Sequence, residues 1–174
     1  MKKTFSSKDM SKAYKWSSLE SAQKISKEFA GSEIEIIFES RLNDSFEVTE
    51  GMPPSGLELF ILAYAECLLW SSIDDNDAPL DSSYCLDDFT IEAVNKIKLD
   101  CEKFFNENEG AINSTPDNYF YDNAGHDFWL TRNGHGAGFW DGDAGESGDI
   151  LTEQSKKYPE LNAYVTDNNL IDLE

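Results

Sequence analysis

The chain has 174 residues, of which 40% are hydrophobic and 13% aromatic, enough for one compact domain with a small appendage. It carries 34 Asp and Glu against 14 Lys and Arg, a formal net charge of −20. A surface of that sign repels phosphate, which argues against direct binding of DNA, RNA or an anionic membrane and favours a basic protein surface as partner.

The charge is unevenly placed. Residues 1–41 hold eight basic and six acidic side chains, whereas the chain from Leu42 onward holds six and 28. The first eight residues, Met1 to Lys8, are followed by no apolar run and read as no secretory signal. The longest apolar segment, Leu57 to Trp70, is interrupted by Glu58 and Glu66, so no membrane span is expected. The three cysteines, Cys67, Cys85 and Cys101, have no CxxC spacing and read as free thiols of a reducing cytoplasm.

In chain order, residues 1–41 predict a small strand–helix–strand unit. Lys12 to Trp16 is a short strand. Leu19, Ala22, Ile25, Ser26 and Phe29 follow at helical spacing, with Ser17 or Ser18 as cap and Gly31 as stop. Ile34, Ile36 and Phe38 then alternate with Glu33, Glu35 and Glu39, the period of a half-buried strand. Two strands and one helix make a marginal core, so this unit must dock on something. Residues 42–56, with Asn43-Asp44-Ser45 and Gly51-Met52-Pro53-Pro54-Ser55-Gly56, read as a linker.

Residues 57–174 read as an acidic α+β domain. Ser55 and Glu58 have the spacing of a capping box for a helix over Leu57–Trp70 that is apolar nearly all round, as central helices are. A loop with Asp74, Asp75, Asp77 and Asp81 leads to a second helix, from Asp87 or Thr90 to Asn106, whose buried stripe is Phe89, Ala93, Val94, Ile97, Cys101, Phe104 and Phe105. After a loop anchored by Tyr119, Phe120 and Tyr121, the pattern predicts a β-hairpin over Asp127–Asp141. Its strands are Asp127–Arg132 and Ala137–Asp141, and the Asn133-Gly134 pair is the strongest short hairpin signal. Trp129 and Trp140 then share one face. Thr152–Tyr158 reads as a short helix closed by Pro159, and Tyr164–Thr166 with Leu170-Ile171 as a last small hairpin. The fold class is therefore α+β, with two main helices, a β-hairpin and the N-terminal strand–helix–strand unit.

Two stretches carry a resemblance. Tyr64-Ala65-Glu66-Cys67-Leu68-Leu69-Trp70-Ser71-Ser72 with Pro79-Leu80-Asp81, and Gly125 to Asp141 followed by Gly148-Asp149 and Leu151-Thr152, resemble a family of small accessory proteins of tailed bacteriophages. The likeness spans about Leu57 to Asp167. The family is usually basic or neutral after Trp-Asp, where this chain has Gly142-Asp143-Ala144, and the segment ahead of the linker is outside its pattern. The resemblance implies a phage origin, and hence the cytoplasm of an infected bacterium. It implies no activity and carries over no catalytic residues.

The residues themselves offer little chemistry. His126, Asp127, Thr131, Arg132 and His135 are the one cluster of catalytic types, but on a strand His126 and Asp127 point to opposite faces. His126 and Arg132 also read as satisfying local carbonyls and carboxylates, with Asp141 across the hairpin as one partner. Asp141, Asp143, Glu146 and Asp149 resemble a calcium loop, but the EF-hand positions for Gly and Glu hold Glu146 and Thr152. A non-EF cation site from Asp141, Asp143 and Asp149 is the alternative. No cofactor is expected.

Function is read as a non-enzymatic, phage-encoded acidic protein that inhibits a host nucleic-acid-handling or defence protein, its carboxylates standing in for phosphates. The expected contact residues are Asp74, Asp75, Asp77, Asp81, Asp87, Asp88, Asp141, Asp143, Glu146 and Asp149, with Trp129 or Trp140 as apolar anchor. One alternative is a metal-dependent or hydrolytic site at the hairpin and acidic loop, which a pocket gathering His126, Arg132, Asp141 and Asp149 would support. Another is an interaction module acting through its N-terminal unit.

Overall fold

Ser55 starts the first helix as its spacing predicts. The computed structural model describes residues 54–174; the expected N-terminal unit and nearly all of the linker lie outside the described residues. In helix α1 (Gly56–Ser71), Ser55 Oγ accepts the Glu58 N–H at 3.2 Å, and the Glu58 carboxylate accepts the Ser55 N–H at 2.5 Å. Phe60, Ile61, Tyr64, Ala65, Cys67 and Leu68 are fully buried along it. A helix apolar on so many sides has to sit among other elements, and α1 packs against the helices over 91–112 and 121–132 and the turn at Leu80–Ser82.

The acidic loop that follows holds two single 3₁₀ turns, Leu80–Ser82 and Leu86–Asp88. Helix α2 (Ile91–Ile112) is capped by Thr90, whose Oγ1 accepts the Ala93 N–H at 3.0 Å. The expected stripe from Phe89 to Phe105 is buried throughout. The helix runs six residues beyond Asn106, to Ile112, because Asn108 and Ile112 continue the buried side and Asn108 Nδ2 bonds back to the Phe104 carbonyl at 2.8 Å.

The hairpin expected over Asp127–Asp141 is absent, and this is the main correction. Tyr121–Arg132 is helix α3, and Phe139–Asp141 is one 3₁₀ turn. Asn133-Gly134 ends α3 in a Schellman motif: the His135 N–H donates to Leu130 O at 3.0 Å and the Gly134 N–H to Thr131 O at 3.3 Å, with Gly134 at φ 66°. A hairpin turn and a Schellman cap both want a glycine at positive φ, so the dipeptide alone does not separate them. Packing decides. Phe128, Trp129, Leu130, Thr131 and Arg132 are all buried, as a helix wedged between elements requires.

Gly125 is the contact point of α3 with α1, since a Cβ there would fall 2.2 Å from the Phe60 carbonyl oxygen. Helix α4 (Ser147–Ser155) starts before the predicted Thr152, and Gly148 on it passes so close to Phe139 O that a Cβ would lie 2.4 Å away. The last small hairpin forms as expected from β1 (Ala163–Val165) and β2 (Ile171–Leu173), antiparallel, with Ala163 opposite Leu173 and Val165 opposite Ile171. It docks where the Thr90 N–H donates to Ile171 O at 2.8 Å.

Among the described residues the architecture is therefore α+β: four helices and one two-stranded hairpin, with the hairpin at the C-terminal end of the chain. The core is aromatic. Phe104 stacks on Phe128 at 3.9 Å between centroids and lies 5.9 Å from Phe139, and Phe60 closes the cluster at 6.0 Å from Phe104. Burying each such ring contributes about 1.5–3 kcal/mol.

Candidate interaction surface

The described residues hold 25 Asp and Glu against six Lys and Arg. The single arginine among them is withdrawn from the surface. Arg132, with a fully buried side chain, donates from Nη1 to Tyr64 Oη and to Asp100 Oδ2, both at 2.9 Å, and from Nε and Nη2 to Pro159 O. Its guanidinium also lies over the rings of Phe128 and Tyr158. Arg132 thus satisfies carbonyls and a carboxylate as expected, but the carboxylate is Asp100 on α2 and not Asp141, because α3 turns this side chain inward. Five lysines are left against the surface carboxylates.

Two segments concentrate the acidic residues. The first follows the C-terminal end of α1. Asp74 there is structural: its Oδ1 accepts the N–H groups of Asn76 at 2.8 Å and Ala78 at 2.9 Å, and these bonds hold its pKa below the ordinary value. Asp75, Asp77 and Asp81 are exposed; Asp87 and Asp88 are half-buried, and Asp88 Oδ2 accepts the Cys85 N–H at 2.8 Å. On α1, Glu58 holds its carboxylate in the capping box, and burial beside Asp122 pushes the Glu66 carboxyl up to about 7.

The second segment, Asp141 to Asp149, lies against Tyr119 and Asp127 near the start of α3. Asp141, Asp143, Glu146 and Asp149 are all exposed, and Asp141 ties its own turn through the Gly138 and Asp143 N–H groups. Gly145, at φ 59°, packs on Pro116 and brings this loop to the turn before α3. Beneath it, Tyr119 Oη donates to Asp127 Oδ2 at 2.5 Å. Burial, with the charges of Asp141 and Asp143, raises the Asp127 pKa to about 6.

The two tryptophans expected to share a face are separated. Trp129 is 1% exposed, its ring edge-on to Tyr64 and its Nε1 donating to Ser71 Oγ at 2.7 Å, so it anchors the core and no partner. Trp140 is 53% exposed and adjoins Asp141. The reason for the split is the change of element: a strand pair would align them, whereas Trp129 sits on α3 and Trp140 in the following 3₁₀ turn.

His126, Arg132, Asp141 and Asp149 are not gathered. His126 is half-buried on α3, and burial lowers its pKa against the opposing charge of Asp122. Arg132 faces α2, Asp141 is in the loop and Asp149 is exposed in the first turn of α4. Asp141, Asp143 and Asp149 likewise do not converge: among the described residues no three His, Cys, Asp or Glu side chains come together as a metal-holding group. A groove of about 360 Å³ runs elsewhere, between α2 and the segment after α4, lined by Leu99, Lys103, Asn108, Lys157 and Tyr158 among others. None of the predicted contact residues lines it.

No helix among the described residues is long and apolar enough to cross a membrane. Comparison with protein-family models, with curated proteins and with solved structures returns no match to this chain.

Proposed function

We propose that the protein is an acidic inhibitor that binds the basic surface of a nucleic-acid-handling or defence protein, using the Asp141–Asp149 segment around Trp140 as its contact. One observation carries this reading. Trp140 stands 53% exposed next to Asp141, in the same short segment as Asp143, Glu146 and Asp149, all of them exposed. Aromatic anchors ringed by charge are the residues that dominate binding energy, and carboxylates there would steer encounter with a positive groove and occupy it in place of phosphates. The resemblance of Gly125 to Asp141 to phage accessory proteins supports a host bacterial protein as the target and the infected cell's cytoplasm as the place.

The test is affinity capture of bacterial proteins on the full chain at about 50 mM salt, followed by elution with rising salt and, separately, with duplex DNA. Electrostatic occlusion requires a captured protein that leaves as the Debye length shortens toward 8 Å and that DNA displaces. The quadruple variant Asp141→Asn, Asp143→Asn, Glu146→Gln, Asp149→Asn and the single variant Trp140→Ala each lose that capture. Retention that ignores salt, DNA and these substitutions sinks the proposal.

A further inference from the structure

We propose that the outer strip of α1 formed by Leu59, Leu62, Glu66 and Trp70, continued by Ile73, is the docking surface for this chain's own residues 1–41. Residues 59, 62, 66 and 70 fall on one side of a helix by their spacing. The other sides carry the buried Phe60, Ile61, Ala63, Tyr64, Ala65, Cys67, Leu68 and Leu69. A helix with one open side normally presents charge there. This one presents Leu59 and Leu62, half-buried, and Trp70, 48% exposed, with Ile73, 56% exposed, just past its C-terminal end. The one acid on the strip, Glu66, is half-buried, and burial with the nearby charge of Asp122 on α3 pushes its carboxyl up to about 7, while the other four side chains of the strip are apolar.

Three features select the occupant. The first is need. The sequence of residues 1–41 spaces Leu19, Ala22, Ile25 and Phe29, then Ile34, Ile36 and Phe38, as apolar faces of a segment whose length is short for a core of its own. The second is charge. Those residues hold eight basic and six acidic groups, against six and 25 in residues 54–174, so the two parts attract. The third is reach. Residues 42–53 extend up to about 40 Å when stretched, and α1 is about 24 Å long, so the tether covers the whole strip. The strip is also small. Five side chains are far fewer than the ~20–30 residues a side of a free protein partner, but a short tether supplies an effective concentration of about millimolar and makes a small contact sufficient.

The experiment places a photo-reactive residue, Trp70→p-benzoylphenylalanine, in the full chain and maps cross-links by mass spectrometry in a mixture of light and isotope-labelled heavy copies. A second probe at Ile150, 55% exposed on α4, serves as control. The expected result is light–light and heavy–heavy links from position 70 into residues 1–41, with none from position 150. Phe29→Asp is expected to weaken docking by about tenfold or more, as loss of one buried phenyl implies, and Phe29→Leu to preserve it. Light–heavy links would identify a second copy as the occupant and overturn the proposal. So would the absence of links into residues 1–41, or links from both probes alike.

Discussion

Arg132 shows how one side chain can be read correctly in kind and wrongly in place. Its need for carbonyls and a carboxylate is a property of the guanidinium, but Asp100, Tyr64 and Pro159 become its partners only because α3 aims it inward. Removing it leaves Asp100 half-paired near the core, so Arg132→Ala is expected to cost about 3–5 kcal/mol in urea unfolding, while an exposed Lys156→Ala changes little. Glu66 and Asp127 make a second residue-level test. Burial raises both, to about 7 and about 6. Between the ordinary carboxyl range and those values the folded chain keeps protons that the unfolded chain has released, so both groups lower stability as pH rises from about 4 to 7. His126, pushed below its ordinary value, works the other way below about pH 6.5. Glu66→Gln removes one of the two carboxyl contributions. The variant is expected to match the parent at pH 4.5 and to exceed it by about 3 kcal/mol at pH 8, read from urea unfolding at each pH.

Among the elements, α1 and α2 were legible because local signals and burial agree. The capping box at Ser55 and Glu58, and the stripe from Phe89 to Phe105, are properties of spacing alone. The segment Asp127–Asp141 was not legible. Its buried residues run consecutively from Phe128 to Arg132, so no helical period shows, and Asn133-Gly134 serves a Schellman cap as readily as a hairpin turn. Gly125 carries no local signal of its own role, which is to let two helix backbones meet. The two glycines should therefore respond differently to alanine. At Gly134, with open space but φ 66°, the cost is backbone strain of about 1 kcal/mol. At Gly125 the new methyl meets the Phe60 carbonyl, α1 and α3 must part, and a loss of about 3 kcal/mol or more is expected by thermal or urea unfolding. Equal losses at the two positions would contradict the helix–helix contact.

At the scale of the whole molecule, surplus charge acts against the fold it decorates. With the lone arginine of residues 54–174 buried, carboxylates on that surface face only five lysines and repel one another. Screening should relieve this, so the urea midpoint at pH 7.5 is expected to rise between about 20 mM and 300 mM NaCl, and to rise less at pH 5, where Glu66 and Asp127 hold protons. A midpoint indifferent to salt would mean that the carboxylates are too dispersed to repel, and would weaken the case for a concentrated acidic contact. The candidate contact itself was half legible. Its acids are plain in the sequence, but the sequence paired Trp129 with Trp140 as possible anchors, and only Trp140 faces solvent.

By itself the sequence determined the net charge, the apolar character of α1, the cap that starts it and the closing hairpin, because each depends on residue type and near-neighbour spacing. The tertiary structure decided whether Phe128 to Arg132 coil or extend, which tryptophan is hidden, and which carboxylates stay free. Those outcomes depend on what lies across the core, and a buried segment satisfies its side chains on every side without leaving a period for the sequence to show.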